Sequence, residues 1–299
     1  MGGDTADRRP IVAICYDFDK TLSPTDMQAQ GYIQSLGLDV DAFWRRSGAL
    51  AKASNMDQNL AYMYTMLEEA RGRLTVSLQA LHAYGARVKL YPGVREWFGR
   101  TRRAAEERGL RLEHYIISSG LKEMIEGTTI AGEFKQIYAS AFYFDERGEA
   151  RWPAQAVNFT NKTQFLFRIE KGLLDINDPA VNAAVPPEQM RIPFRNMIYI
   201  GDSDTDIPCM KLVSSRGGYA IGVYDPVEDN RTKVHNIMLD GRIDYFAPAD
   251  YAANAPLDAL INKIFDHIAA TEALRAVSFS QHAEAMNARA KAVERSIDD

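Results

Sequence analysis

Three short apolar runs, each cut off by polar residues, set the pattern of this chain. Ile11 to Tyr16 stops at Asp17-Phe18-Asp19-Lys20-Thr21, His114 to Ile117 stops at Ser118-Ser119-Gly120, and Met197 to Ile200 stops at Gly201-Asp202-Ser203-Asp204-Thr205-Asp206. Runs this short, without alternation, read as strands buried on both faces, which is how a parallel sheet uses them. Gly218 to Val223 and Ile243 to Phe246 add two more. Between them the period becomes helical. Leu60, Met63, Leu67 and Ala70 share a face, a second helix fits Val76 to Tyr84 with Gly85 as its stop, and a charged helix leads to Gly109. Gly120 is expected to open a helix carrying Leu121, Met124 and Ile125, with Ser119 as a possible N-cap. Phe165, Leu166 and Ile169 form the stripe of a helix capped by Thr160 and closed by Gly172. The alternating stretch 137–152 predicts a hairpin around Glu146-Arg147-Gly148, and 175–196, broken by prolines, predicts a loop with short helical pieces. From Pro256 a last helix presents Leu257, Leu260, Ile261, Ile264 and Phe265, then turns polar and Ala-rich beyond Ala276.

Strands alternating with helices predict an α/β fold, a Rossmann-like doubly wound parallel sheet. The stretch from Thr25 to Leu90 is helical without a strand, and the turn signals Ser23-Pro24 and Pro92-Gly93 flank it. The expected organisation is therefore a core of 1–23 and 92–299, with a C-terminal helical extension, and an inserted α-helical domain over 24–91.

Composition narrows the function classes. The 299 residues are 46% hydrophobic and 25% charged, with a net charge of −5, which is ordinary for a globular chain able to bury a core. An acidic balance without a Lys/Arg block argues against a nucleic acid polymer as partner. No run approaches the roughly 18 apolar residues of a membrane helix. The first ten residues lack a signal-peptide core and read as a disordered lead-in. Two cysteines, Cys15 and Cys209, and five scattered histidines give neither a disulfide framework nor zinc spacing. A cytoplasmic, thiol-reducing setting is expected.

The strand ends carry the chemistry. A parallel sheet gathers the C-terminal ends of its strands on one edge, where ligands bind. Asp17 and Asp19 would meet Asp202 and Asp206 there, and two carboxylates about 4 Å apart repel by roughly 4 kcal/mol at an effective dielectric near 20. A cation or a shared proton must relieve that. Ser118 and the backbone that follows it offer donors to an anion. Lys162, in the first turn after Thr160, opposes the helix dipole by about 0.3–1 kcal/mol, so a negative neighbour is expected for it.

As an ordered set these residues resemble the haloacid dehalogenase-like hydrolase superfamily. Asp17-Phe18-Asp19-Lys20-Thr21 is similar to its first motif, Ser118 (with Ser119 as competitor) to the second, Lys162 to the third and Gly201-Asp202-Ser203-Asp204-Thr205-Asp206 to the fourth. The helical insertion resembles the cap of phosphoserine phosphatase-like and pyrimidine 5′-nucleotidase-like members. Lys20 stands where Gly or Ser is frequent, and the C-terminal extension has no counterpart. The resemblance implies an Mg2+-dependent phosphatase acting on a small phosphorylated metabolite. Asp17 is the implied nucleophile and Asp19 the acid/base; Ser118 and Lys162 complete the catalytic set. Thr21, Ser118, Ser119, Gly120 and Lys162 would hold phosphate, and Asp17, Asp202 and the backbone carbonyl of Asp19 the metal, with Asp206 in support. A phosphotransferase using the same aspartyl-phosphate, or a silent phosphate-binding regulatory module, are the alternatives. The cations Arg45, Arg46, Lys52, Arg71 and Arg73 fit a solvated face, but Arg45 and Arg46 stand beside Phe43 and Trp44, so some of these cations are expected to face the site and bind an anionic or π-rich leaving group.

Overall fold

The computed structural model describes residues 9–228 and 231–298, with side chains as far as residue 289; the expected lead-in falls, through residue 8, outside the described residues. In chain order the elements are β1 (Ile11–Tyr16), α1 (Tyr32–Ser35), α2 (Val40–Ser54), α3 (Gln58–Ala70), α4 (Leu78–Gly85), α5 (Val94–Glu106), β2 (Arg111–Leu121), α6 (Lys122–Glu126), β3 (Gln136–Phe144), β4 (Ala150–Gln155), α7 (Thr163–Lys171), β5 (Met197–Gly201), α8 (Ile207–Ser215), β6 (Tyr219–Tyr224), α9 (Arg231–Leu239), β7 (Tyr245–Pro248) and α10 (Pro256–Asp298). Short 3-10 turns join several of them.

The strands form one sheet in the order β4-β3-β2-β1-β5-β6-β7. Every pairing is parallel except β3 with β4, the expected hairpin. This is the α/β, doubly wound architecture. Its strand order runs outward in both directions from β1, so β1 lies at the topological switch point where such sheets open a crevice. The two-residue period of β1 divides its side chains between the faces. Val12, Ile14 and Tyr16 join the larger hydrophobic cluster, while Ala13 and Cys15 join the other with Phe165, Leu166 and Tyr199. Burial on both faces is why the run needed no polar alternation.

Helices α1 to α4 lie in the chain between β1 and the β2 unit, and Phe43, Tyr62, Met63 and Leu81 from them belong to the same cluster as Val12 and Ile14. The two ends of this segment are tied together, with Tyr91 N–H donating to Leu22 C=O across 2.9 Å. Gly93 closes the exit at φ +76, and a Cβ there would lie 2.3 Å from the backbone nitrogen of Ala252. Only glycine fits.

Two expectations about helix starts are corrected. Gly120 does not open a helix: β2 continues to Leu121 through a register shift against β3, and α6 is a five-residue helix without a side-chain cap. The cause is local, because Ser118 Oγ accepts the Gly120 N–H at 3.0 Å and holds the backbone in a strand-end turn. Thr160 does not cap α7, since a 3-10 turn (Phe159–Lys162) intervenes and α7 begins at Thr163. Asn158 N–H bonds Asn161 Oδ1 at 2.7 Å, and Phe159 takes a left-handed φ of 39°.

Candidate active site

Three strands deliver their last residues to one end of the sheet. Register places Tyr16 of β1 between Ile116 of β2 and Ile200 of β5, so the residues that follow each of them share a mouth. Asp17 N–H donates to Ile200 C=O at 2.9 Å, which extends the β1–β5 ladder by one bond and fixes the aspartate at the sheet's rim. A cavity of about 240 Å³ opens there, and Asp17, Asp19, Ser118, Ser119, Gly120 and Asp202 are in its wall.

Asp17 is almost wholly buried, and its Oδ1 accepts no hydrogen bond although Lys162 Nζ lies 3.3 Å away. Burial, then the nearby Asp206 charge, push the Asp17 pKa up to about 6, against the opposing pull of Lys162, the Phe18 N–H and the Ser118 hydroxyl. Asp19 is turned differently. Its Oδ1 accepts the Met27 N–H at 2.8 Å, and burial followed by the Asp26 and Asp17 charges raises its pKa well above the carboxylate range. Burial and the Asp206 and Asp17 charges raise Asp202 in the same way. The rim is thus short of positive charge in its resting form.

Lys162 is the built-in cation. It is fully buried and donates to Asp206 Oδ1 at 2.7 Å, with Thr205 Oγ1 at 3.4 Å. Burial opposes its charge, but Asp17 and Asp206 outweigh burial and its pKa is raised. The negative neighbours that its position in the chain called for are present.

Asp17, Asp202 and Asp206 can bring one oxygen each to within 4.8 Å of one another, an all-oxygen set suited to a hard divalent cation. Asp17 and Asp202 both line the cavity, so a cation held there would meet these two carboxylates. Asp206 stands behind them. Its Oδ1 takes Lys162 and the Tyr199 hydroxyl at 2.8 Å, and its Oδ2 takes Ser203 Oγ at 2.8 Å and Ser203 N–H at 3.1 Å. Those bonds make Asp206 a support for Lys162 and the loop. The Asp19 carboxylate lies outside this cluster, committed to Met27.

Other expected residues move. Thr21 is fully buried and is not among the cavity-lining residues; its hydroxyl donates to Asp202 Oδ1 at 3.4 Å. Arg45 and Arg46 do not line the cavity; Arg46 pairs with Glu69, and their neighbour Trp44 supplies the wall. Successive helical residues point about 100° apart, which lets Trp44 line the cavity while Arg45 and Arg46 are exposed. Cys209 is buried, and burial raises its thiol, which leaves it inert.

Residues that sequence reasoning missed complete the wall: Lys20, Asp26, Gln28, Trp44, Asn59, Tyr62, Ser203, Thr205 and Lys233. Asn59 and Tyr62 lock α3 to the sheet end, Asn59 Nδ2 donating to Val157 C=O at 2.6 Å and Tyr62 OH to Ser119 C=O at 3.0 Å.

A family profile described as haloacid dehalogenase-like hydrolase matches residues 14–211. An uncharacterized protein of Borreliella burgdorferi is 27% identical over 276 residues, covering 84% of this chain and 95% of that protein. Among solved structures, a HAD family hydrolase from Salmonella enterica serovar Typhi superposes with a TM-score of 0.55 at 16% identity, covering 86% of this chain and 72% of that one. A probable phosphoserine phosphatase from Vibrio cholerae gives 0.54 at 12% identity, covering 89% and 69%. At those identities the two structures speak for a shared fold.

Proposed function

This chain belongs to the haloacid dehalogenase-like hydrolases, and from that premise we propose that it is a phosphatase for a small phosphorylated metabolite, working through an aspartyl-phosphate on Asp17. The observation that carries the reading is the contrast between two neighbouring carboxylates. Asp17 lines the cavity with Lys162 Nζ 3.3 Å from its Oδ1, whereas Asp19 has its Oδ1 on the Met27 N–H and its pKa raised by burial and by the Asp26 and Asp17 charges. A nucleophile needs an unencumbered lone pair, and a general acid needs a proton to give.

Asp17 Oδ attacks phosphorus in line with the leaving oxygen, and Asp19 passes its proton to that oxygen as the bond breaks. Asp19, now a carboxylate, takes a proton from water, which attacks the aspartyl-phosphate and frees Asp17. Ser118 and Lys162 hold the equatorial phosphoryl oxygens, with Gly120 leaving room beside Asp19. Mg2+ would be held by Asp17 and Asp202, and when bound it supplies charge neutralisation and alignment of the phosphoryl group. A halide departs without needing a proton, so a general acid in the place of Asp19 suits an oxygen leaving group better than dehalogenation. The helical segment over 24–91 acts as a cap that walls off water and selects the leaving group.

Phosphate release from a broad set of phosphomonoesters, with Mg2+ and after chelation, tests this function. Mg2+-dependent release is expected. Release of none, or undiminished release without metal, contradicts it.

A further inference from the structure

The pairing of β2 with β3 breaks where the strand meets the cavity. Ser118 lies opposite Ala139 and Leu121 opposite Ser140, which leaves Ser119 and Gly120 out of the ladder. Bulges of this kind re-aim side chains beside active sites. Side chains hold the Ser119–Gly120 peptide instead. Its carbonyl, from Ser119, accepts the Tyr62 hydroxyl at 3.0 Å, and its N–H, from Gly120, donates to Ser118 Oγ at 3.0 Å. Tyr62 belongs to α3, in the inserted helical segment, and its buried ring packs against Trp44 with centroids 5.9 Å apart.

A trans peptide is planar, so a bond to its carbonyl also sets the direction of its N–H. Here that N–H occupies a lone pair of Ser118 Oγ and leaves the single hydroxyl hydrogen to be given elsewhere. Ser118 lines the cavity, and its hydroxyl pulls the Asp17 pKa down against the effect of burial. The hydrogen therefore faces the carboxylate read as the nucleophile. Orientation passes from Tyr62 through one rigid plane to that hydroxyl. Asn59 is a poor substitute, since its Nδ2 is 3.4 Å from the same carbonyl and 2.6 Å from Val157 C=O. Without the Tyr62 hydroxyl, a peptide outside the ladder is free to turn.

Resting on the phosphatase reading, we propose that Tyr62 is a positioning residue for Ser118. By holding the Ser119–Gly120 peptide from α3, it aims the Ser118 hydroxyl at the phosphoryl group. The inserted helical segment thus serves phosphoryl transfer itself, for every ester alike, apart from any part it takes in choosing the leaving group.

The test is a double-mutant cycle on kcat/KM for phenyl phosphate and glycerol 1-phosphate, in the wild type, Tyr62→Phe, Ser118→Ala and the double variant. Phenylalanine keeps the ring and removes only the hydroxyl. Tyr62→Phe is expected to lose about tenfold on both esters, and less than about twofold when Ser118 is already alanine. Equal losses in the two backgrounds, a loss on one ester alone, or no loss overturns the proposal. Calorimetric binding of inorganic phosphate with Mg2+ separates this claim from the reaction. If no ester is turned over, the phosphatase reading fails, and phosphate binding then decides. Binding about fivefold weaker in Tyr62→Phe, with no such change in the Ser118→Ala background, upholds the positioning role. Equal weakening in both backgrounds, no weakening, or no binding to the wild type removes it.

Discussion

Lys162 and Asp206 form a fully buried ion pair, 2.7 Å between Nζ and Oδ1, joining the turn before α7 to the loop after β5. Removing one partner of such a pair costs about 3–5 kcal/mol, because the other charge stays buried. Asp206→Ala should lose about that much in chemical denaturation, and it also strands the Tyr199 hydroxyl and Ser203. A loss under about 1 kcal/mol would show that the remaining Asp17 contact suffices for Lys162.

Asp17→Asn keeps shape and removes nucleophilicity. Turnover should fall on the order of 10,000-fold or more, whereas Ser118→Ala, which deletes one of several phosphoryl contacts, should cost about 100-fold. Thermal unfolding should show the Asp17→Asn fold intact. Comparable losses in the two variants would move the nucleophile elsewhere.

Glu123 gives a pH dependence separate from catalysis. Burial pushes its pKa up to about 7, with Oε1 accepting the Phe142 N–H at 2.9 Å and Oε2 unpaired. The folded pKa lies above the unfolded value, so the native state binds the extra proton. This group's contribution is fully present below about pH 4.5 and is lost as pH rises through 7. Glu123→Gln should therefore be more stable than wild type at pH 8, by on the order of 2–3 kcal/mol, and nearly equal to it at pH 4.5. Urea titrations at the two pH values check this, and a gain that does not grow with pH would contradict it.

Gly120 is spaced for Asp19. A Cβ there would lie 2.5 Å from Met27 Cε and 3.0 Å from Asp19 Oδ2. The methionine tip can swing aside, but Asp19 is anchored by its bond to Met27. Gly120→Ala should lose about 1 kcal/mol of stability and about tenfold or more in kcat, from a displaced acid. Steady-state kinetics would show the loss in kcat with KM little changed; an effect confined to KM would place Gly120 in binding alone.

What the sequence made legible is what local pattern encodes. The apolar runs ending in Asp17, Ser118 and Asp202 are complete within a few residues each, and a parallel sheet then has one edge on which to gather them. What it hid depends on elements meeting at long range. Thr21 reads as a phosphate ligand until the β1–β5 pairing puts Asp202 against it. Trp44 reads as core and Arg45 and Arg46 as site residues until the rotation of α2 over the sheet reverses them. Gln28, Tyr62 and Lys233 carry no motif at all and become visible only when their helices and turns close around the cavity. The helix expected at Gly120 failed because the Ser118 hydroxyl competes for its N–H, a side-chain choice that periodicity does not record.

The central claim is covalent chemistry on Asp17. It is tested most directly by acid-quenching the Mg2+-loaded enzyme during turnover of a phosphomonoester and mapping phosphoryl mass by peptide mass spectrometry. The account expects one phosphoryl group on the peptide carrying Asp17, absent after chelation and absent in Asp17→Asn. Turnover with no phosphoryl group on that peptide, or with one on another residue, would contradict it.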